Sequence, residues 1–155
     1  MSVLNDIVIR PTVFPSGPIT GKDAQNYWEN IRDGLDASVE LIMRGYSPFP
    51  DFPDFAFGLR ATVTVKEYHE MDIAWLVRAD ALLMLEGWEE STGATKERAV
   101  ALALGIPVFY SMEDLNDWVE TWKPPTIKEL MRKGTEQDET DGVNNDYSRI
   151  KRVLD

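Results

Sequence analysis

The sequence predicts a single three-layer α/β domain with a mostly parallel sheet. Short β-branched or apolar segments alternate with longer segments of helical period along most of the chain, which is the order of strands and helices in such sheets. Turns rich in glycine and polar residues follow the strand-like segments. The 155 residues, 43% of them hydrophobic, are enough for one buried core and too few for a multidomain protein.

The first predicted strand covers residues 7–14, which are rich in β-branched residues, and Pro11 within it indicates an edge strand or an irregular start. Residues 23–44 repeat apolar side chains at steps of three and four, so they predict an amphipathic helix that ends at Gly45. These apolar positions are Trp28, Ile31, Leu35, Val39 and Ile42. A second strand is expected over residues 46–49.

Residues 48–63 are rich in Pro, Phe and Asp and show no clear period, so they predict a long loop. Such a loop is either a surface excursion held by its aromatic residues or a lid or base-stacking wall beside a ligand. The later elements are a helix over residues 65–79, a strand covered on both faces over 80–85, a helix over 95–104, a buried strand over 106–110 and a helix over 113–122. This succession is typical of Rossmann-like and flavodoxin-like domains.

We place this domain at residues 1–122 and assign residues 123–155 to a C-terminal extension. The character of the chain changes at Lys-Pro-Pro, residues 123–125. The extension is expected to hold a short helix over residues 126–133 and a mobile acidic segment over residues 134–145.

The composition excludes several kinds of site. The chain has no cysteine, which rules out disulfides, thiolate metal sites and cysteine nucleophiles. Its single histidine, His69, rules out a histidine-rich metal site, and the sequence predicts neither a metal nor another cofactor. The N-terminus has no basic region before an apolar core, and no run approaches the ~18 apolar residues that cross a bilayer. A cytoplasmic protein without a membrane partner is therefore expected.

The charge argues against nucleic acid as a partner. The formal net charge is −11; residues 1–122 carry nine basic and twenty acidic side chains, and residues 123–155 carry seven of each. Contacts with nucleic-acid phosphates rely on Lys and Arg, so this excess of acid disfavours them. An anionic small molecule would be held by backbone amides and a few local donors.

Three segments are expected to meet where a ligand would bind. In an open parallel sheet, ligands bind at the carboxyl ends of the strands, where helices begin. The segments are the turn of residues 16–21, the turn of residues 87–94 and the helix that contains Asp72. Glycines in the turns allow close backbone approach, and the amides that begin the following helices can hold a phosphate or sugar oxygen. The ordinary alternative is that each turn is only a tight connection.

Glu97 is the most informative single residue. It is expected within the first turn of its helix, where free amides and the helix dipole favour the ionised carboxylate. Such a carboxylate is suited to nucleophilic attack on an oxocarbenium-like sugar carbon. The alternative is that an acid in a first turn only stabilises its helix, and Asp72 has an equally ordinary interpretation as part of a solvated helix face.

Together these motifs resemble the nucleoside 2-deoxyribosyltransferase superfamily. The resemblance covers residues 7–110 and rests on the order and spacing of several motifs. They are Ser-Gly-Pro-Ile-Thr-Gly at 16–21, Arg-Gly-Tyr at 44–46, Asp-Ile-Ala-Trp-Leu at 72–76, Ala-Asp-Ala at 79–81, and Gly87-Trp88-Glu89 followed by Ser91, Gly93-Ala94 and Glu97. The nearest likeness is to an uncharacterised subgroup of bacteria and phages, with the 2'-deoxynucleoside 5'-phosphate N-hydrolases as more distant relatives.

The resemblance implies a role for each matching residue. Glu97 would be the nucleophile that forms a glycosyl-enzyme intermediate, and Asp72 would contact the sugar or relay a proton to the departing base. Ser91, six residues before Glu97, would donate to a phosphate or sugar, with Gly93 and Ala94 beside it. The first turn would lie against the sugar or its 5' substituent; its residues are Ser16, Gly17, Pro18, Ile19, Thr20 and Gly21.

The resemblance also implies a homodimer or homotetramer in which a neighbouring subunit completes the active site, and Asn116 is a weak candidate for that part. Two positions depart from the family. Phe14 stands where characterised relatives often have a tyrosine that hydrogen-bonds the nucleophile. Thr20 stands where the nucleotide hydrolases have an arginine, so a 5'-phosphate would lose a bidentate partner. Trp88, the last candidate, either stacks on a base or packs over the sheet edge.

We therefore expect cleavage or transfer of the N-glycosidic bond of a nucleoside, deoxynucleoside or nucleoside 5'-monophosphate. Glu97 expels the base, and water or a second base resolves the intermediate. Two alternatives stay open. One is a non-catalytic protein that binds, senses or sequesters a nucleotide, and the other is a glycosidase acting on NAD or a related signalling nucleotide.

Overall fold

A parallel sheet of four strands forms the centre of the chain. A computed structural model describes residues 7–49, 52–130 and 132, apart from the side chains of residues 53–55. The strands are β1 (Thr12–Ser16), β2 (Ser47–Pro48), β3 (Ala81–Met84) and β4 (Val108–Phe109), and they lie in the order β2-β1-β3-β4. The helices are α1 (Ala24–Met43), α2 (Val65–Leu76), α3 (Thr92–Leu104) and α4 (Met112–Val119). The predicted α/β class with a parallel sheet is confirmed.

β1 occupies the interior of the sheet, between β2 and β3. It begins only at Thr12, so the predicted strand start at residue 7 is wrong, and its interior place excludes the alternative of an edge strand. The ladder with β2 is short: Ser47 N donates to Pro11 O and Phe49 N to Val13 O, each at 2.9 Å. Pro15 lies on the same edge of β1 as Val13 and has no N–H to continue this ladder. An interior strand tolerates Pro15 because β2 ends there.

The pairing of β1 with β3 is longer and sets the register of the sheet. It runs from Val13 beside Ala81 to Ser16 beside Met84. All four residues of β3 are buried, which confirms a strand covered on both faces. β4 pairs with the other side of β3, and its two residues are only half-buried. The prediction of a buried strand is therefore wrong for β4, because it lies at the edge of the sheet.

Alternate residues of the two central strands enter two separate hydrophobic cores. One core contains Phe14, Leu82 and Met84 together with residues of α2 and α3. The other contains Val13, Ala81 and Leu83 together with Leu41 of α1 and Leu115 of α4. Helices thus cover both faces of the sheet, as the predicted three-layer arrangement requires.

α1 has the predicted length but turns a different face inward. Its buried residues are Ile31, Gly34, Ser38 and Leu41. Trp28, Val39 and Ile42, which the apolar repeat placed on one inward stripe, are 54%, 57% and 51% exposed. The cause is close packing: the ring of Phe52 lies 2.0 Å from where a Cβ on Gly34 would be. Only a small residue can face that ring, so residue size as well as hydrophobicity determines which side of α1 is buried.

The segment predicted as a long loop contains a 3-10 helix at Phe52–Leu59. Phe52, the first residue of this 3-10 helix, is buried, and its ring packs against Gly34 of α1. Phe49, just before it, stacks on Phe14 with ring centres 5.1 Å apart and on Trp75 at 5.2 Å. These contacts agree with a surface segment held by its aromatic residues.

The helix ends follow local hydrogen bonds. Thr64 and Glu67 form a capping box at the start of α2, and Ser111 caps α4. α2 ends at Leu76, short of the predicted residue 79, and α4 spans Met112–Val119 in place of residues 113–122. α3 begins three residues before the predicted start, because Ser91 Oγ accepts from Ala94 N at 3.3 Å.

The chain divides into two units, Arg10–Trp122 and a second made of Met1–Ile9 and Lys123–Asp155. In the second unit, residues 127–130 are helical, and Thr126 and Glu129 form a reciprocal pair of hydrogen bonds at the helix start. This helix lies within the predicted residues 126–133. The predicted mobile segment, residues 134–145, lies outside the described residues. In the described parts of the chain, no helix is long and apolar enough to cross a membrane.

Packing against Phe52 makes Gly34 a sensitive position. We expect Gly34→Ala to destabilise the protein by about 1–2 kcal/mol, because overpacking a core costs roughly 1–3 kcal/mol and outweighs the gain of ~1 kcal/mol in helix propensity. Urea unfolding followed by circular dichroism measures the difference. Gly58→Ala is the control, since a Cβ there meets nothing within 4 Å. An unchanged or higher urea midpoint for Gly34→Ala would contradict this packing.

Candidate functional site

The strand order creates a crevice at the carboxyl ends of β1 and β3. These strands are neighbours, but α1 leads from β1 to β2 on one side and α3 leads from β3 to β4 on the other. Connections that diverge in this way leave room for a ligand between them. The turn after β1, residues 16–21, and the turn after β3, residues 87–94, both begin at this point.

The three segments expected to converge do so. Leu85 Cβ lies 3.0 Å from where a Cβ on Gly17 would be, and Pro18 Cγ lies 3.5 Å from the same position at Gly87. The two turns are therefore in contact. On α2, His69 Nε2 lies 3.1 Å from the position of a Cβ on Gly93. The helix that carries Asp72 thus reaches the second turn, and a Cβ at Gly17 or Gly93 would be in tight contact with these neighbours.

Glu97 extends from α3 to the end of β1. Ser16 Oγ donates a hydrogen bond to Glu97 Oε2 at 2.5 Å. The exposed fraction is 0% for Ser16 and 6% for Glu97. A short hydrogen bond from a hydroxyl to a buried carboxylate is among the stronger kinds found in proteins. It connects the predicted nucleophile to the strand end where the crevice begins.

The environment of Glu97 differs from the expected one. α3 begins at Thr92, so Glu97 lies in the second turn, and the prediction of a first-turn position beside free amides is wrong. Burial raises the pKa of Glu97 above its ordinary value, and the hydrogen bond from Ser16 opposes this by lowering it. The ionised form is therefore favoured by a specific buried donor and disfavoured by desolvation, with no first-turn amide to help.

Asp72 is the second buried acidic side chain. Among the described residues, Asp72 at 5% exposed and Glu97 at 6% are the two carboxyl groups that are buried. Asp72 lies on α2, which packs against α3, and its burial excludes the alternative of a solvated helix face. Burying a carboxyl group is costly, so two buried carboxyl groups on helices that pack together single out this part of the core as a candidate site.

His69 lies one turn before Asp72 on α2. Burial, and then the charge of Lys96, lower the pKa of His69, so its imidazole is neutral at pH 7. Sequence reasoning did not single out His69 as a residue of the site. Its spacing of three from Asp72 was the available signal that both side chains share a helix face.

The second turn contributes Ser91, Gly93, Ala94 and Trp88. Ser91 caps α3 with a lone pair of its oxygen, which leaves the hydroxyl hydrogen as a donor. Ala94 is buried in the core. Trp88 is half-buried, and the guanidinium carbon of Arg98 lies 5.1 Å from its ring centre. This contact supports packing over the sheet edge as one role of Trp88.

Sequence reasoning did not single out Arg98. Its Nε donates to the hydroxyl of Tyr110 at 2.6 Å, and Tyr110 directly follows β4. The guanidinium therefore joins the residues that follow β3 and β4. No periodicity or motif marks this cluster, because its three members come from separate parts of the chain.

The first turn divides between buried and exposed residues. Gly17 is buried, and Pro18 and Ile19 are half-buried, whereas Thr20 and Gly21 are exposed. Phe14, at 0% exposed, stacks on Phe49 inside the core. Phe14 and Ser16 project to the same face of β1. Phe14 stands at the position for which the resemblance implies a tyrosine, and Ser16, two residues later, has the hydroxyl that reaches Glu97.

A cleft of about 250 Å³ lies beside the same strand ends, on the α1 side of the sheet. Its walls include Pro18, Asp33, Phe52, Leu85 and Glu86. None of the described residues that line it is basic, so its chemistry does not suit a phosphate. Ser16 and Glu97 do not line this cleft, because their side chains lie on the α3 side of the sheet.

Two further expectations concern partners and metals. Asn116 on α4 accepts a hydrogen bond from the Tyr46 hydroxyl at 2.9 Å, on the sheet face opposite Glu97. Within the described residues, Asp, Glu and His side chains do not gather in groups of three that could hold a metal ion.

The raised pKa of Glu97 makes a prediction about stability. The pKa of Glu97 is near 4.5 in the unfolded chain and higher in the folded one. Below the unfolded pKa the group is protonated in both states and does not change the free energy of unfolding. As the pH rises through the folded pKa, the buried charge lowers that free energy. We expect Glu97→Gln to unfold at higher urea than the wild type at pH 8 and the difference to shrink towards pH 4. Glu86→Gln, which removes an exposed acid, is the control. A difference that does not change with pH would refute the burial of an ionised Glu97.

Comparison with known proteins adds one relationship. The family model described as a domain of unknown function (DUF4406) matches residues 11–110. A search of curated proteins finds no match. The matched residues include all four strands, both turns, Asp72 and Glu97, and they make up well over half of the chain. The chain therefore belongs to the family of domains of unknown function DUF4406.

Proposed function

We propose that the protein cleaves or transfers the N-glycosidic bond of a nucleoside or deoxynucleoside, with Glu97 as the nucleophile. The observation that carries this proposal is the buried Glu97 carboxylate, held by Ser16 at the strand ends where the connections that follow β1 and β3 diverge. Asp72, the other buried acid, supplies a second group for proton transfer. Glycosidic chemistry usually relies on two carboxyl groups, and α2, which carries Asp72, packs on α3, which carries Glu97.

In the first step a carboxylate oxygen of Glu97 bonds to the anomeric carbon of the sugar, and the bond from that carbon to the base nitrogen breaks. The electron pair leaves with the base, which takes up a proton from Asp72 or from water. The developing positive charge on the sugar favours the ionised form of Glu97 and counteracts its desolvation.

In the second step water attacks the same carbon, loses a proton, and displaces Glu97 with the electron pair of the ester bond. A second nucleobase in place of water yields a transferred nucleoside. Ser91, at the start of α3, has a hydroxyl hydrogen with which to bind a sugar or phosphate oxygen.

The charges favour an uncharged nucleoside over a 5'-monophosphate. Residues 1–122 carry an excess of eleven acidic side chains, twenty against nine basic ones. Thr20, where the nucleotide hydrolases have arginine, is exposed and brings no positive charge. Backbone amides of the two turns and the Ser91 hydroxyl would have to hold a phosphate without a basic side chain from either turn.

The test is incubation with a panel of nucleosides, deoxynucleosides, their monophosphates and NAD, with free base measured by chromatography. We expect base release by the wild type and a loss of at least about a thousandfold in Glu97→Ala, since removing a nucleophile typically costs that much. Asp72→Asn should also lose rate, by a smaller factor.

Mass spectrometry of the quenched reaction checks the intermediate. A mass increase equal to one sugar, located on the peptide that contains Glu97, is the expected result. Glu86→Gln serves as the matched control, because its carboxyl group is exposed beside the same strand ends. Turnover that survives Glu97→Ala would refute the mechanism.

One observation favours the alternative of a binding protein without turnover. The raised pKa of Glu97 favours the protonated acid, which is not a nucleophile and donates hydrogen bonds to a ligand instead. Calorimetry distinguishes the two: tight nucleotide binding without base release supports a sensor or sequestering protein. Base release from NAD in the panel would support the glycosidase alternative.

We also propose a cytoplasmic homodimer or homotetramer. The outward face of α1 supports self-association, because Val39, Ile42 and Met43 are 57%, 51% and 82% exposed on one helix. Light scattering after size exclusion measures the assembly. Mixing two inactive variants tests whether a site is shared between subunits, since recovered activity requires residues from both chains.

A further inference from the structure

Ser16 has a place in the structure that differs from the place its turn suggests. As the first residue of the turn at 16–21 it is expected to touch the ligand. Its hydroxyl is instead fully buried and donates to Glu97 Oε2 at 2.5 Å. A serine hydroxyl has one hydrogen, so this bond uses the only donor of the side chain.

We propose that Ser16 is a positioning residue that holds Glu97 Oε2 and leaves Oε1 as the oxygen that bonds to the sugar carbon. This inference rests on the proposed function. In this role Ser16 orients the nucleophile and does not bind the substrate.

The donor is held rigidly, which a positioning role requires. Ser16 is the last residue of β1 and pairs with Met84 in the centre of the sheet. Its carbonyl accepts from Leu85 N at 2.7 Å, and the next residue, Gly17, packs against the Leu85 side chain. Because strand and turn both hold the backbone at Ser16, the hydroxyl fixes the orientation of the carboxylate on α3.

The same bond keeps the carboxylate ionisable. Burial disfavours the charge on Glu97, and a hydrogen bond to the ionised form favours it. Among the ionisable residues of α2, which packs on α3, Asp72 is buried and His69 reaches Gly93. Glu89 and Glu90 at Trp88–Glu90 are exposed, and β3 and β4 carry no ionisable residue. On α3 itself Lys96 and Arg98 flank Glu97, and Arg98 is directed to Trp88 and Tyr110. Ser16 is therefore the buried donor that stabilises the anion.

The test compares Ser16→Ala with Ser38→Ala, a matched control. Ser38 is also buried, and its hydroxyl donates to Gly34 O within α1, away from Glu97. With the nucleoside that the wild type turns over, we expect Ser16→Ala to lower kcat by roughly 10- to 100-fold with little change in KM. The acidic limb of its pH profile should move to higher pH. Ser38→Ala should leave the profile unchanged.

A second measurement does not depend on turnover. The carboxyl carbon of Glu97, labelled with ¹³C and assigned by its absence in Glu97→Gln, is titrated by NMR in the wild type and in Ser16→Ala. We expect a higher midpoint in Ser16→Ala. Ser16→Cys, which has nearly the same size and a weaker donor, should give a midpoint between them and serves if Ser16→Ala does not fold.

The outcomes separate the two proposals. Equal midpoints in the wild type and both Ser16 variants, or an unchanged kcat and pH profile in a folded Ser16→Ala, would overturn the role of Ser16. Failure of the wild type to turn over any compound of the panel would overturn the proposed function alone, and a shifted midpoint would still support the coupling of Ser16 to Glu97.

Discussion

The in-register pairing of β1 with β3 is the constraint on which the other features of the molecule depend. It sets Ser16 beside Met84 and brings the turns that follow the two strands into contact. It also sends alternate side chains to the two faces, so that Phe14 and Ser16 share the face covered by α2 and α3. A shift of one residue would exchange the faces and separate Ser16 from Glu97.

Glu97 illustrates how a site combines opposing effects. Its burial disfavours the charge that a nucleophile needs, while the hydroxyl of Ser16 favours that charge. In a dry site such interactions are stronger than in water, so a single buried hydrogen bond has a large influence on the carboxylate. This arrangement is compatible with the proposed role of Glu97 as a nucleophile towards a positively charged sugar carbon.

Part of the site was predictable because it depends on local pattern. Glycines at 17 and 93, the acid at 97 and the turn positions follow from short-range rules about strands, turns and helix starts. The position of Glu97 in its helix was not, because Ser91 begins α3 one turn earlier than the apolar repeat suggests. The contacts of Arg98 with Trp88 and Tyr110 were missed for a related reason. The three residues come from separate segments of the chain, and their spacing in the sequence does not indicate that they meet.

The sequence by itself determined the α/β class, the order of elements and the convergence of two turns with the helix of Asp72, because periodicity and turn chemistry are local properties. Only the tertiary structure decided which side of α1 faces inward, where β1 starts, and how Glu97 is held. Each of these depends on contacts between residues far apart in the chain: Phe52 against Gly34, Ser47 with Pro11, and Ser16 with Glu97. Glu97 remains the central residue of the candidate site, and the hydroxyl that holds its carboxyl group lies 81 positions away along the chain.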